Sequence, residues 1–230
     1  MIRAIIFDLD GTLSDTEPLH YAAFAKVLRG EGIALTREDY FSRLVGFTDH
    51  DCFAMVLQHN GRPAGDGHLR ELVARKAAVY QSSIRDREVL YPGAAHFARE
   101  CAARFPLIVV TGTLRSEAEM ILGRAALRDL FVDVIAAEDV DHGKPQPDGF
   151  VAALGRLGFL LRQRPPIQPG ECLVIEDTRA GIEAAHRAGM KVLAVAQTAS
   201  QRDLASADLV RRSLAEIDLD DILRRLAKRS

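Results

Sequence analysis

The feature that most constrains the fold is a short apolar run near the N-terminus that ends in two acidic residues and a glycine. Residues 4–7 form the run, and Asp8, Asp10 and Gly11 follow it. Such a run between polar residues is typical of a strand buried in a parallel sheet. If the extended geometry continues, the side chains of Asp8 and Asp10 project to the same side. Because paired carboxylates repel each other, a bound proton or a hard divalent cation is expected between them.

Further apolar runs alternate with helical stretches in the second part of the chain. Four more strands are predicted, at residues 107–110, 134–136, 172–175 and 192–195. This alternation predicts an α/β fold with a doubly wound parallel sheet, a Rossmann-like core. In such sheets ligands bind beyond the carboxyl ends of the strands. Five polar residues occupy these predicted ends: Asp8, Asp10, Thr111, Glu176 and Asp177.

The segment from residue 15 to about residue 87 shows helical periodicity and no convincing buried strand. Ser14 or Asp15 is the expected N-cap of its first helix. Further helices are predicted near residues 37–44, 49–59 and 67–83. The expected organisation is therefore an α/β core at 1–14 and 89–230 with an all-helical insert at 15–88. A Pro- and Arg-rich stretch at 160–169 is expected to be a surface loop.

Composition excludes several classes of protein. The chain has 230 residues, 48% of them hydrophobic. Its net charge is -2 and it has no basic stripe, so the charge pattern does not indicate a nucleic-acid ligand. Three widely spaced cysteines indicate neither a disulfide framework nor a zinc site and suit a reducing compartment. No run of about 18 apolar residues predicts a membrane span. We therefore expect a cytoplasmic protein with no nucleic-acid or membrane partner.

Four separated motifs resemble those of the haloacid dehalogenase superfamily, chiefly phosphotransferases that use an aspartate nucleophile and magnesium. The motifs are Asp8-x-Asp10-Gly11-Thr12, Thr111 after an apolar strand, Lys144 before Pro145, and Glu176-Asp177. They occur in the order that the superfamily shows and span nearly the whole chain. One departure is Gly112, which follows Thr111 where many relatives carry a second small polar residue.

The resemblance implies a role for each motif residue. Asp8 would be the nucleophile that becomes phosphorylated. Asp10 would protonate the leaving oxygen and then activate water. Thr111 and Lys144 would donate to the phosphate, since an anionic ester must be neutralised before a carboxylate can attack it. The implied Mg²⁺ ligands are Asp8, the backbone carbonyl of Asp10, Glu176 and Asp177.

The helical insert resembles the C1-type cap of this superfamily, specifically that of the beta-phosphoglucomutase-like and phosphoglycolate phosphatase-like group. The resemblance implies substrate contacts from the cap and from the second motif: Glu17, His20, Gly46, Lys76, Thr111 and Gly112. Two of these have a simpler interpretation. His20 could be a polar residue on a solvated helix face, and Lys76 could be an exposed charge.

One cap position distinguishes hydrolysis from isomerisation. The mutase pattern carries an arginine shortly after Gly46 to hold a second phosphate, whereas this chain has Asp49 there. An acid would repel a phosphate, which favours a phosphatase acting on a small phosphomonoester, with a sugar phosphate as the candidate.

Three other functions stay open at this point. They are a phosphosugar mutase, a phosphonatase that forms a Schiff base on Lys26 or Lys76, and a non-catalytic phosphometabolite-binding protein. The expected partner is a small phosphorylated metabolite, and the expected state is a monomer or weak homodimer.

Overall fold

The core is a parallel sheet whose central strands end at the candidate site. The computed structural model describes residues 1–85, 87–161 and 165–228. The strands are β1 (Ala4–Phe7), β2 (Leu107–Val110), β3 (Phe131–Ile135), β4 (Cys172–Glu176), β5 (Lys191–Val195) and β6 (Leu209–Arg211). Within these residues they form one six-stranded sheet in the order β3-β2-β1-β4-β5-β6.

The position of β1 explains where a ligand can bind. β1 pairs in parallel with β2 on one side and with β4 on the other, so Phe7 lies opposite both Val109 and Ile175. The strand order reverses at this point, and the chain connections leave toward opposite faces of the sheet. A crevice therefore opens beyond the carboxyl ends of β1, β2 and β4, as in other doubly wound sheets.

The helices cover both faces of the sheet and build the insert. They are α1 (Glu17–Gly30), α2 (Arg37–Arg43), α3 (Asp49–His59), α4 (Asp66–Ile84), α5 (Ala94–Ala102), α6 (Arg115–Arg124), α7 (Asp148–Leu161), α8 (Arg179–Arg187) and α9 (Leu219–Ala227). Alternate residues of β1 enter different cores, as strand geometry requires. Ile5 and Phe7 pack toward the core that includes α5, α6 and α9, whereas Ile6 packs with α7 and α8.

Helices α1 to α4 bury a third apolar cluster of their own, which includes Phe24, Tyr40 and Phe53. Two isolated bridges, Asp10 with Ser14 and Ser14 with Leu90, join the core residues that flank this helical segment. All four helices lie inside the predicted cap bounds of 15–88, and the division into two domains stays a prediction.

Two local expectations were wrong. The N-cap of α1 is Thr16, not Ser14 or Asp15, and the Thr16 hydroxyl bonds Asp10 instead of the helix backbone. α7 continues to Leu161, so the predicted surface loop at 160–169 begins inside a helix. Residues 162–164 of that loop lie outside the described residues.

The sheet also extends further than predicted. β6 and α9 follow β5 and were not predicted, and β3 begins at Phe131 rather than at residue 134. The three residues of β6 are too few for a periodic signal. None of the helices among the described residues is both long and apolar enough to cross a bilayer.

Candidate active site

Asp8 follows the last residue of β1, and only one of its two carboxylate oxygens accepts a hydrogen bond from the described residues. Its backbone N–H donates to the Ile175 carbonyl at 3.0 Å, which continues the sheet pairing to this residue. Oδ1 accepts from Lys144 Nζ at 2.5 Å. Oδ2 is buried and has no hydrogen-bond partner among the described residues. A buried oxygen without a partner is costly, so Oδ2 is available for a ligand or an incoming electrophile.

Lys144 links the first and fourth motifs. Its ammonium donates to Asp8 Oδ1 at 2.5 Å and to Glu176 Oε1 at 2.6 Å. Burial favours the neutral amine, but the two carboxylates outweigh it and raise the pKa of Lys144 above its ordinary value, so the side chain is an ammonium. Burial also raises the pKa of Asp8 to about 8, with Lys144 opposing the rise and Glu176 adding to it.

Glu176, the last residue of β4, is anchored by the turn that leads into α8. Its Oε2 accepts from the backbone N–H groups of Asp177 and Thr178, each at 2.7 Å, and from the Thr178 hydroxyl at 2.9 Å. A carboxylate at a helix N-terminus is also favoured by the helix dipole. Since Lys144 uses the other oxygen, both oxygens of Glu176 are engaged. In this arrangement Glu176 positions Lys144.

Asp177 lies beside this group and is fully buried. Its carboxylate accepts from the Thr12 hydroxyl at 2.8 Å and from the Thr198 hydroxyl. Gly11 approaches it so closely that an added Cβ would lie 2.2 Å from Oδ2, and Gly11 has a positive φ of 86°. Burial, followed by the charges of Glu176 and Asp8, raises the pKa of Asp177 well above its ordinary value.

These residues fit a divalent cation. Asp8 and Asp177 are buried carboxylates with raised pKa values, and Asp8 Oδ2 is unpartnered. A bound cation would relieve both conditions. Among the described residues no group of three or more acidic, His or Cys side chains is arranged to hold a metal by itself. Two carboxylates completed by backbone, water and phosphate oxygens are the kind of set that Mg²⁺ takes.

The pKa of Asp10 is shifted in the opposite direction from that of Asp8. Its Oδ1 accepts from the Thr16 hydroxyl at 2.5 Å and lies 3.3 Å from His20 Nε2, and Oδ2 accepts from the Thr111 hydroxyl at 3.3 Å. Burial alone would raise the pKa of Asp10. The charge of His20 and the hydrogen bonds from His20 and Thr16 outweigh burial and lower it. Two carboxylates two residues apart thus have pKa values shifted in opposite directions.

Behind Asp10 lies a group of buried charges that we call the cap–core charge cluster: His20, Asp49, Lys76 and Glu117. Lys76 Nζ lies 2.7 Å from His20 Nδ1, 2.9 Å from Asp49 Oδ2 and 3.7 Å from Glu117 Oε2. Glu117 belongs to α6 of the core, whereas the other three belong to the helical insert. Lys76 is therefore not an exposed charge, and His20, stacked at 4.0 Å on the ring of Tyr80, is not on a solvated face.

Most of the predicted site residues line one cavity of about 30 Å³. Lys76 and Asp177 lie outside its lining, and the other nine line it: Asp8, Asp10, Glu17, His20, Gly46, Thr111, Gly112, Lys144 and Glu176. The cavity has room for a water or two, so a phosphorylated sugar can enter only if the insert moves.

The insert meets the core at two glycines of the predicted set. A Cβ on Gly46 would lie 3.0 Å from the Thr178 hydroxyl, and one on Gly112 would lie 3.1 Å from the Phe47 carbonyl. Gly112 is the departure noted in the second motif, and a side chain there would require the Phe47 carbonyl to shift by a few tenths of an ångström.

Two residues that contribute to the site carry no signal in the amino-acid pattern. Glu117 lies in the first turn of α6, where an acid is usual because of the helix dipole. Thr198 lies in a turn after β5, far along the chain from Asp177.

Comparison with known proteins decides the family. The family model described as haloacid dehalogenase-like hydrolase matches residues 2–189. The chain belongs to this family. It is 32% identical over 218 residues to validoxylamine A 7'-phosphate phosphatase of Streptomyces hygroscopicus subsp. limoneus, covering 94% of this chain and 96% of that protein. It is also 32% identical to fructose-1-phosphate phosphatase of Escherichia coli, covering 83% of this chain and 95% of that protein.

Other similar proteins include a mutase. Beta-phosphoglucomutase of Bacillus subtilis is 30% identical over 95% of this chain and 93% of its own length. A crystal structure of CbbY from Rhodobacter sphaeroides in complex with phosphate is 28% identical, covers 94% of this chain and 96% of that chain, and has a TM-score of 0.80. The hydrolase family and the Rossmann-like core predicted from the sequence are confirmed.

Proposed function

We propose that this protein is a magnesium-dependent phosphatase that hydrolyses a small phosphomonoester of the sugar-phosphate class through a phosphorylated Asp8. The observation that carries the proposal is the state of Asp8. One oxygen is held by Lys144 at 2.5 Å while the other is buried without a partner. Because Lys144 holds Oδ1, the orientation of the carboxylate is fixed while Oδ2 stays free to attack phosphorus.

In the first step Asp8 Oδ2 forms a bond to phosphorus as the bond between phosphorus and the ester oxygen breaks. Lys144 and the Thr111 hydroxyl supply positive charge and a donor at the phosphate. A cation held by Asp8, Asp177 and the Asp10 backbone carbonyl would supply further charge neutralisation when bound. The leaving oxygen takes a proton from the carboxyl group of Asp10.

In the second step the Asp10 carboxylate takes a proton from water as the water attacks phosphorus, which releases phosphate and restores Asp8. The lowered pKa of Asp10 favours this base role. His20 can hold the proton that Asp10 takes from water until the next turnover. Burial and Lys76 disfavour the imidazolium, but Asp10 and Glu17 favour it more and raise the pKa of His20.

A mutase is the second candidate, because the mutase from Bacillus subtilis is among the similar proteins. Asp49 argues against it here. The cavity lining contains Asp49 at the position where the mutase pattern has a phosphate-binding arginine.

The phosphonatase alternative lacks a suitable lysine. Lys26 is exposed on α1. Lys76 is surrounded by carboxylates, and although burial opposes this, Asp49 and Glu117 raise its pKa, whereas a Schiff base requires the neutral amine.

The function is tested with two substrates. We expect release of inorganic phosphate from an aryl phosphate, loss of that activity after chelation, and recovery with Mg²⁺. The second substrate is beta-glucose 1-phosphate with a trace of glucose 1,6-bisphosphate. Rapid formation of glucose 6-phosphate without phosphate release would show a mutase, and undiminished turnover after chelation would contradict the metal requirement.

A further inference from the structure

On the side of the cavity formed by the helical insert, the acids Glu17 and Asp49 line the wall, whereas Lys76 does not. Asp49, in the first turn of α3, lines the cavity and is 7% exposed. Lys76 is 0% exposed and does not line the cavity. Asp49 Oδ2 lies 2.9 Å from Lys76 Nζ but accepts no well-directed hydrogen bond among the described residues. The substrate therefore meets a buried carboxylate that can still accept hydrogen bonds.

Lys76 has little positive charge left for a ligand. Its ammonium is shared between Asp49 at 2.9 Å and Glu117 at 3.7 Å. It also lies 4.7 Å from the centre of the Tyr80 ring. Because this ammonium is already paired with two buried carboxyl groups, little of its charge is available to neutralise a ligand at this end of the cavity.

The remaining lining of this side adds no strong cation. Glu17 lines it and accepts from the Tyr40 hydroxyl at 2.6 Å. Of the lining residues contributed by the insert, His20 alone is basic. A second phosphate here would face Glu17 and Asp49 with no guanidinium or free ammonium to neutralise it, whereas a hydroxyl or an ammonium group would find carboxylate acceptors.

We propose that Asp49 is a specificity-determining residue that makes this end of the cavity accept a hydrogen-bond donor of a singly phosphorylated sugar and exclude a second phosphate. The inference rests on the proposed function, because it takes the substrate's one phosphate to lie at Asp8. It goes further in assigning the chemistry at the other end of the substrate and the residue that selects it.

The test compares three molecules with the same ring: glucose 6-phosphate, glucosamine 6-phosphate and glucose 1,6-bisphosphate. For the wild-type protein with Mg²⁺ we expect kcat/KM for both monophosphates to exceed that for the bisphosphate at least tenfold. Asp49→Asn keeps the shape of the side chain and removes one of the carboxylates that pair with Lys76. In this variant the ratio of bisphosphate to monophosphate kcat/KM rises at least tenfold.

Asp66→Asn is the matched control, since it makes the same chemical change at an exposed residue of the insert. It leaves the ratio unchanged. A wild-type protein that takes the bisphosphate as well as the monophosphates overturns the proposal. So does an unchanged ratio in a folded Asp49→Asn protein.

A binding measurement separates this inference from the proposed function. Calorimetry with Asp8→Asn and Mg²⁺ compares the affinities of the same three molecules without turnover. Tighter binding of the monophosphates, together with a wild-type protein that hydrolyses none of them, would refute the phosphatase proposal and uphold the selection by Asp49. Binding of the bisphosphate that is equal or tighter, or no binding of any of the three, would refute the selection.

Discussion

At the residue scale, the positions of Asp8 and Asp10 could be predicted from the sequence motif, but their protonation states depend on the fold. Their spacing and their place after β1 could be predicted from the residues themselves. Their protonation could not, because it depends on groups distant in sequence. Lys144 and Glu176 surround Asp8, whereas His20 and Thr16 surround Asp10. The difference gives one carboxylate the role of nucleophile and the other that of acid and base.

Replacing His20 tests which group lowers the pKa of Asp10. Burial raises the pKa of Asp10, and His20 is the main group that opposes it. In His20→Asn the pKa of Asp10 rises, so the base form exists only at higher pH and the acidic limb of the pH–kcat profile moves upward. His96→Asn, at an exposed position on α5, is the control and leaves the profile in place. Identical profiles for the two variants would contradict the assignment.

At the element scale, the turn from β4 into α8 determines the geometry of the site. The apolar run at 172–175 predicted this strand. It did not predict that the Glu176 carboxylate accepts from the backbone N–H groups of Asp177 and Thr178, just before α8, and holds Lys144. The turn has space for this only because residue 181 is glycine, where a Cβ would lie 1.7 Å from Glu176 Oε1.

Gly181→Ala should therefore displace the Glu176 carboxylate and with it Lys144. We expect the free energy of unfolding to fall by about 1–3 kcal/mol and kcat to fall by about 100-fold. Gly155→Ala is the matched control, because a Cβ there meets nothing within 4 Å on an exposed part of α7. That change should stabilise the protein by about 0.5–1 kcal/mol, since alanine is the better helix former. Equal, small effects at both positions would show that Glu176 is free to move.

At the scale of the whole molecule, the sheet and the helical insert could be predicted because alternating apolar runs and helical periods are local patterns. The closed position of the insert could not, since it depends on contacts such as Lys76 with Glu117, which lie on different helices. Closure buries acids whose repulsion a proton or a cation must relieve. The stability of the fold is thereby coupled to both pH and Mg²⁺.

The coupling has a definite direction. Burial raises the pKa of Asp8 from 3.8 to about 8, so the folded protein holds a proton that the unfolded chain releases. The contribution of Asp8 to the free energy of unfolding is therefore present at low pH and is lost as pH rises from about 4 to about 8. Mg²⁺ replaces the proton, so we expect it to raise the Tm more at pH 8 than at pH 5.

Thermal unfolding with and without Mg²⁺ measures this effect. At a concentration near 100 Kd, binding contributes about 2.7 kcal/mol, which for a chain of this size is roughly 5–10 °C in Tm. The shift should be much smaller in Asp8→Asn. A Tm that does not respond to Mg²⁺, or that responds more at pH 5, would contradict the proposed cation site.

The central claim is that Asp8 becomes phosphorylated, and chemical trapping tests it most directly. Asp10→Asn removes the base that activates water, so the phosphorylated enzyme should accumulate when an aryl phosphate and Mg²⁺ are added. Borohydride reduces an acyl phosphate but leaves a free carboxylate unchanged. Peptide mass spectrometry after borohydride treatment should therefore find residue 8 converted to homoserine, with no conversion in Asp8→Asn. Conversion at another residue, or none while the wild-type protein still releases phosphate, would show that Asp8 is not the nucleophile.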